Sequence, residues 1–338
     1  MSKKQLIYIG NKLKERGGNP TSIDILAPLF QKEGYNVITA SGFKNKAFRI
    51  LHMLSVILKN SRSANWVLID TYSTSNFWYA YSAGRLAHFL GLKYILLLHG
   101  GELPERLQRT PGKTHWLLKH ACANIAPSAY LKDKFQAAGI SGIKYIPNSI
   151  NLKDYPFKER TGFQPKLLWV RAFAGIYDPM SAIQTLELLL ERYQDAELCM
   201  VGPEKDDSFK KCRDYVSKKN LPVTFKGILD KREWHRLSES YCIFLNTSTI
   251  DNTPVSVIEA MALGLPVVST AVGGIPVLIE DQRTGLLVPA NNSPAMANAV
   301  EHLLSHPENA KQISVSARQQ VEKFDWNSVK DLWAQVFS

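Results

Sequence analysis

Residues 251–288 read DNTPVSVIEAMALGLPVVSTAVGGIPVLIEDQRTGLLV, and the order of the whole chain follows from them. Two acidic residues, Asp251 and Glu259, flank Asn252, Thr253, Pro254 and Val255. Thr253-Pro254 is a good helix opening, because a hydroxyl can cap free amides and proline is preorganised at the first helical position. The predicted helix runs through 257–262 and stops at Gly264 and Pro266. Residues 267–270 (VVST) then read as a buried strand, and Gly273-Gly274 lets the backbone bend closely around something small. A helix start beside a glycine loop seats phosphate, since exposed amides and the helix dipole both favour negative charge. Carboxylates accept hydrogen bonds from hydroxyls, so phosphate with two flanking carboxylates points to a sugar nucleotide.

Working outward, short apolar runs at 166–170, 197–201, 223–225, 242–246 and 267–270 alternate with helix-like segments. The same alternation fills the first half, with strand-like runs at 5–9, 35–40, 66–70, 94–99, 123–126 and 143–146. Such βα alternation predicts parallel sheets covered on both faces, with substrates beyond the carboxyl ends of the strands. The expected organisation is a first Rossmann-like domain over 1–150, a polar, proline-bearing linker over 151–165, and a second over 166–323. An amphipathic helix over 324–338 follows.

The chain has 338 residues and a net charge of +11. Its length suits two ordinary domains. No run of eighteen apolar residues occurs, which disfavours a spanning helix. The first residues read better as a strand than as a signal peptide. Cys122, Cys199, Cys212 and Cys242 are scattered without a CxxC pair, so reduced thiols without metal are expected. Charge is uneven: residues 1–160 carry 23 Lys/Arg against 9 Asp/Glu, whereas 161–338 carry 18 against 21. That asymmetry points to an anionic partner for the first half, such as a membrane surface or an acidic acceptor. No nucleic-acid motif accompanies it, so nucleic acid is not expected. The segment 43–62, FKNKAFRILHMLSVILKNSR, predicts a helix with basic ends around an apolar middle. One face would pack on the sheet and the basic end would meet anionic lipid.

The 251–288 stretch resembles the donor-site signature of retaining glycosyltransferase family 4, whose fold is GT-B. That family carries an acidic residue, seven intervening residues and Glu, followed by Ala-Met-Ala-x-Gly-x-Pro-Val-Val; Asp251 stands where Glu is usual. Residues 272–276 and 284–288 match as well. The resemblance implies an α/β protein with two Rossmann-like domains whose parallel sheets face across a cleft, and a last helix that crosses back to the first domain. It places Asp251 near the donor sugar, Asn252, Thr253, Pro254 and Val255 in the donor site, and Glu259 on the ribose. Arg171 would grip the diphosphate; the lysine expected five residues later is replaced by Ile176, leaving Lys205 or Lys226 as substitutes. Gly202 and Gly227 match turns beside the nucleotide. Gly17 and Gly18 match a glycine pair that closes over the donor phosphates, with Lys12, Lys14 and Arg16 before them. His99 matches a histidine near the donor sugar, with Glu102 within reach of an acceptor. Ser128 and residues 147–150 (PNSI) match landmarks before the linker.

The resulting expectation is a retaining hexosyltransferase that moves sugar from a UDP- or GDP-linked donor to a glycan or lipid-linked hydroxyl. It needs no cofactor, and the absence of Asp-x-Asp fits metal independence. Surface polysaccharide or lipopolysaccharide assembly is implied, in the cytoplasm, with the basic domain peripheral on the membrane. A non-catalytic sugar-nucleotide-binding subunit, a GT-B sugar-nucleotide epimerase and a membrane-surface scaffold remain as alternatives.

Overall fold

The computed structural model describes residues 4–12, 21–100 and 103–338. The chain divides into two units, Met1–Pro147 with Lys330–Ser338, and Asn148–Val329. The first holds β1 (Gln5–Ile9), β2 (Asn36–Ala40), β3 (Trp66–Tyr72), β4 (Tyr94–His99), β5 (Ala123–Ala126) and β6 (Ile143–Tyr145). They form one sheet in the order β2-β1-β3-β4-β5-β6, every pair parallel. The second holds β7 (Lys166–Val170), β8 (Glu197–Val201), β9 (Val223–Gly227), β10 (Ile243–Asn246), β11 (Val267–Thr270) and β12 (Leu286–Val288). Its order is β12-β11-β10-β7-β8-β9, again all parallel.

Parallel neighbours need a crossover, and helical crossovers cover both faces of the sheet, so these strands read as continuous apolar runs. Leu6, Ile7, Tyr8 and Ile9 of β1 and Ile95, Leu96 and Leu98 of β4 are fully buried. In each sheet the strand order reverses once, between β1 and β3 and between β7 and β10. Crevices form beyond the carboxyl ends at such points, and both sheets place polar residues there.

Three local expectations are corrected. Residues 286–288 form a strand that the apolar runs picked out in the sequence do not include, because it is only three residues long. The helix after β10 is Val255–Ala262, which includes the run 257–262, and Pro254 is its N-cap rather than its first residue. Thr253 makes no cap there; the extended ψ of Pro254 turns the chain into the helix without one. The basic helix is Lys46–Asn60, capped by Asn45, and it buries only Met53 and Ile57. Phe48, Leu51 and Leu58 face solvent, at 63%, 62% and 52% exposure. Among the described residues no helix is long and apolar enough to cross a membrane.

The final helix is Trp326–Val336. Its segment Lys330–Ser338 completes the first unit through an aromatic cluster: Phe337 lies 5.3 Å from Phe30 and 5.4 Å from Trp66, and Trp333 lies 5.3 Å from Phe30. Phe337 is 1% exposed. Truncating it should therefore leave a cavity among four rings, Phe30, Tyr35, Trp66 and Trp333. Phe337→Ala is expected to cost about 3–5 kcal/mol in chemical denaturation. Phe89→Ala, at a ring 85% exposed, should stay within about 0.5 kcal/mol of the parent.

Candidate functional site

In the second unit the reversal of strand order brings the ends of β7 and β10 together. Arg171 follows β7 and Asp251 lies in the loop after β10, and the two form an ion pair between Arg171 Nη2 and Asp251 Oδ2. Asp251 also accepts from Ser248 Oγ at 3.1 Å and from the Asn252 amide at 2.9 Å. The Arg171 guanidinium stacks 4.2 Å from the Tyr177 ring centroid, and its Nε is sealed from water with no partner among the described residues. Burial pulls the guanidinium below its ordinary pKa, with Tyr177 opposing. The cation and the carboxylate singled out in the sequence are thus each other's partner, so an anion on Arg171 must share it with Asp251.

Glycines hold this site together by close approach. Gly202 has φ +149°, and a Cβ there would lie 1.8 Å from the Arg171 carbonyl oxygen. Gly273 has φ +55°, and a Cβ would lie 1.9 Å from the Asp251 carbonyl oxygen; at Gly274 the distance to the Asn252 carbonyl oxygen is 2.0 Å. The Gly273-Gly274 loop therefore bends around the backbone of Asp251 and Asn252, where the sequence reading expected a small ligand. Its amide is used too, since Gly274 N donates to Asp251 O at 3.0 Å. Gly227, in contrast, has φ +66° and open space around its Cβ position.

The helix Val255–Ala262 starts beside this loop without a side-chain cap, and the Ser256 hydroxyl in its first turn is buried and has no partner among the described residues. Asn252 and Pro254 are buried, while Thr253 and Val255 are half-buried. Glu259 projects from the same helix and is 5% exposed. The Tyr155 hydroxyl donates to Glu259 Oε1 at 2.6 Å, and Lys231 Nζ pairs with the same oxygen at 2.8 Å. Neither partner stands out in the sequence, because one lies 104 residues from Glu259 and the other opens a separate helix, Lys231–Ser238. Lys205 and Lys226 are exposed; Lys231 is the lysine that reaches a carboxylate of the site. Ile176, at 50% exposure, sits in the short turn Gly175–Tyr177.

In the first unit His99 ends β4 and is 9% exposed. A carboxylate only accepts, so His99 Nε2 carries the proton in its 3.0 Å bond to Asp70 Oδ1. Tyr8 Oη donates to the same oxygen at 3.0 Å, and Tyr72 stacks on the His99 ring at 4.9 Å. Asp70 is fully buried and its Oδ2 has no partner among the described residues. Gly10 makes the room, since a Cβ there would lie 2.4 Å from Oδ2. Burial, reinforced by the Asp70 charge, pushes the Tyr8 and Tyr72 hydroxyls well above their ordinary pKa and keeps them protonated. Asp70 went unremarked in the sequence, although a carboxylate closing the apolar run WVLID was its signal. Gly17 and Gly18, with Lys14, Arg16 and Glu102, lie outside the described residues. Ser128 caps the helix Ala129–Ala137 by accepting from Leu131 N. Among the described residues no group of three or more His, Cys, Asp or Glu side chains is arranged to hold a metal ion.

The segment that carries Arg171, Asp251 and Glu259 has known relatives. Residues 164–306 match the family model described as Glycosyl transferases group 1. The matched residues all lie within the second unit. Over 152 residues the chain is 30% identical to sulfoquinovosyl transferase SQD2 of Arabidopsis thaliana, covering 44% of this chain and 29% of that protein. Over 171 residues it is 32% identical to a D-inositol 3-phosphate glycosyltransferase of Mycobacteroides abscessus, covering 48% and 37%. The matches thus span about a third of the length of these curated relatives. Among solved structures, Anabaena Alr3699/HepE in complex with UDP superposes with a TM-score of 0.78 at 17% identity, covering 98% of both chains. Sucrose-phosphate synthase from Thermosynechococcus elongatus gives 0.80 at 17%, covering 99% of both. The two parallel six-stranded sheets with their helices are those of GT-B glycosyltransferase structures, as the sequence led one to expect.

The loop contact at Gly273 can be tested without any ligand. Gly273→Ala should destabilise by about 2–4 kcal/mol, combining overpacking with an unfavourable positive φ. Gly227→Ala, with positive φ but open space, should lose only about 1–2 kcal/mol. Equal losses in urea titration would mean that the close approach to Asp251 does not matter.

Proposed function

We propose that the protein is a retaining, metal-independent glycosyltransferase that transfers a hexose-type sugar from a UDP- or GDP-sugar to a hydroxyl of a glycan or lipid-linked acceptor. The observation that carries this reading is the pairing of Arg171 with Asp251 where strand order reverses in the second unit, with Glu259 in the helix that follows the Asp251 loop, inside the segment that matches the glycosyltransferase family model. The uncapped helix start and the unpartnered Ser256 hydroxyl suit an anionic donor at that place. Glu259 would accept from the ribose hydroxyls. Asp251 and the amides of Thr253 and Val255 would orient the sugar, and Gly202 and Gly227 would shape the turns beside the nucleotide.

In the reaction the bond from the anomeric carbon to the diphosphate oxygen breaks and the acceptor oxygen bonds that carbon on the same face. The acceptor proton passes to the departing phosphate. Arg171, drawn partly from Asp251, would offset the negative charge that develops on the leaving group. His99, its Nε2 held by Asp70, keeps Nδ1 for a sugar or acceptor hydroxyl. Gly17 and Gly18 are assigned to the donor phosphates from the resemblance.

We further assign the enzyme to surface polysaccharide or lipopolysaccharide assembly at the cytoplasmic face of a membrane. Residues 34–101 hold seven Lys/Arg and a single acid, the fully buried Asp70. Lys44, Lys46, Lys59 and Arg62 are exposed around the apolar face of Phe48, Leu51 and Leu58. Apolar side chains ringed by lysine and arginine favour an anionic bilayer surface. A second reading, a sugar-nucleotide binder without transferase activity, draws on Ile176 in place of lysine and on the pairing of Arg171 with Asp251.

A panel of sugar nucleotides should raise the thermal midpoint of the protein for the correct donor, since a ligand bound only by the folded state stabilises it. Glu259→Gln should then lose about tenfold or more in nucleotide affinity, as expected for loss of charge-assisted hydrogen bonds. Undiminished affinity would remove Glu259 from the ribose. Binding without transfer or donor hydrolysis would favour the second reading. Separately, vesicles containing phosphatidylglycerol should sediment the protein, phosphatidylcholine vesicles should not, and Leu51→Asp with Leu58→Asp should abolish sedimentation.

A further inference from the structure

How Glu259 is enclosed sets what it can hold. Tyr155 and Lys231 both occupy Oε1, and Lys231 Nζ also donates to the Tyr155 hydroxyl at 3.0 Å. The three side chains come from separate segments: Tyr155 follows the short turn Leu152–Asp154, Lys231 opens the helix Lys231–Ser238, and Glu259 lies in Val255–Ala262. A carboxylate offers about four acceptor positions, two on each oxygen. Those on Oε1 are taken, while Oε2 has no partner among the described residues and Glu259 keeps 5% of its surface open.

We propose that Tyr155 and Lys231 are positioning residues that hold the Glu259 carboxylate through one oxygen and leave the other free, and so make the site selective for nucleotides with a vicinal ribose diol. The proposal rests on the reading of Glu259 as the ribose acceptor. The Lys231 ammonium lies 2.8 Å from Oε1 and holds that oxygen by charge and hydrogen bond. It also directs the Tyr155 hydroxyl: with its oxygen accepting from Lys231, the hydroxyl proton goes to Glu259. Burial, with the nearby charge of Glu259, raises the Tyr155 phenol above its ordinary pKa and keeps it a donor. The His235 ring packs 4.5 Å from Tyr155, and burial lowers its pKa, so no second cation competes there at neutral pH. Pinned through Oε1, the carboxylate cannot turn to suit another ligand, and both remaining acceptor positions lie on Oε2. Two adjacent hydroxyls can fill them together.

Calorimetric titration of the full chain with UDP and GDP, and with their 2′,3′-dideoxy counterparts, tests the proposal. The parent should bind the ribonucleotide more tightly than its dideoxy form. Tyr155→Phe and Lys231→Met should each shrink that ratio about tenfold while the dideoxy affinity moves less than about twofold, as loss of one charge-assisted hydrogen bond predicts. Lys231→Arg should restore most of the ratio. A role in folding alone would weaken both classes of nucleotide alike, and a ratio left intact in Tyr155→Phe would overturn the proposal. That variant keeps the ring and carries the test if Lys231→Met does not fold. A parent protein with no preference for ribose would instead overturn the assignment of Glu259.

Discussion

A parallel sheet covered on both faces offers water almost nothing but its ends, and the polar chemistry of this chain is arranged under that constraint. Strand interiors are apolar because both of their faces are buried, and each connection returns on a helix that completes the cover. Polar side chains are left to the ends of strands and the loops beyond them. Arg171 after β7, Asp251 after β10 and His99 at the end of β4 are all consequences of that placement. Where strand order reverses, two such ends meet without a crossover between them, and the charges there face each other.

Charges moved out of bulk water need partners, and this structure supplies them in a consistent way. Arg171 has Asp251, Glu259 has Lys231 and Tyr155, and Asp70 has His99 and Tyr8. Each carboxylate is engaged chiefly through one oxygen, except at Asp251, where Oδ1 also accepts from the following amide. Removing one member of such a group would leave the other uncompensated, which costs more than the pair contributes over apolar replacements. The glycines do complementary work at the backbone. Gly202, Gly273 and Gly274 let loops approach to distances that a single extra carbon would block, and they fix the chain segments that present Arg171 and Asp251.

The sequence made the two sheets legible because eleven of the twelve strands are apolar runs separated by helix-like segments. β12 escaped because three residues between a Thr-Gly turn and a proline carry no periodicity. The acid and glycine positions around 251–288 were legible through spacing, but their partners were not. A glycine pair signals that something comes close without saying what, and here it is the chain's own backbone. Tyr155 and Lys231 had no sequence signal, since their contact with Glu259 depends on how three distant segments fold together. The basic helix was readable as a helix, yet its buried stripe proved narrow, because only Met53 and Ile57 are covered fully.

The aromatic seating of Phe337 and Trp333 on Phe30 and Trp66 also orders events in time. During synthesis the first 147 residues emerge early, but the segment that finishes their unit is made only after residues 148–329. At ordinary elongation rates of about 5–20 residues per second, that delay is roughly ten to forty seconds. Throughout it Phe30 and Trp66 lack their covering rings, and an apolar patch stays open on a nascent chain. The first unit is thus begun first and closed last.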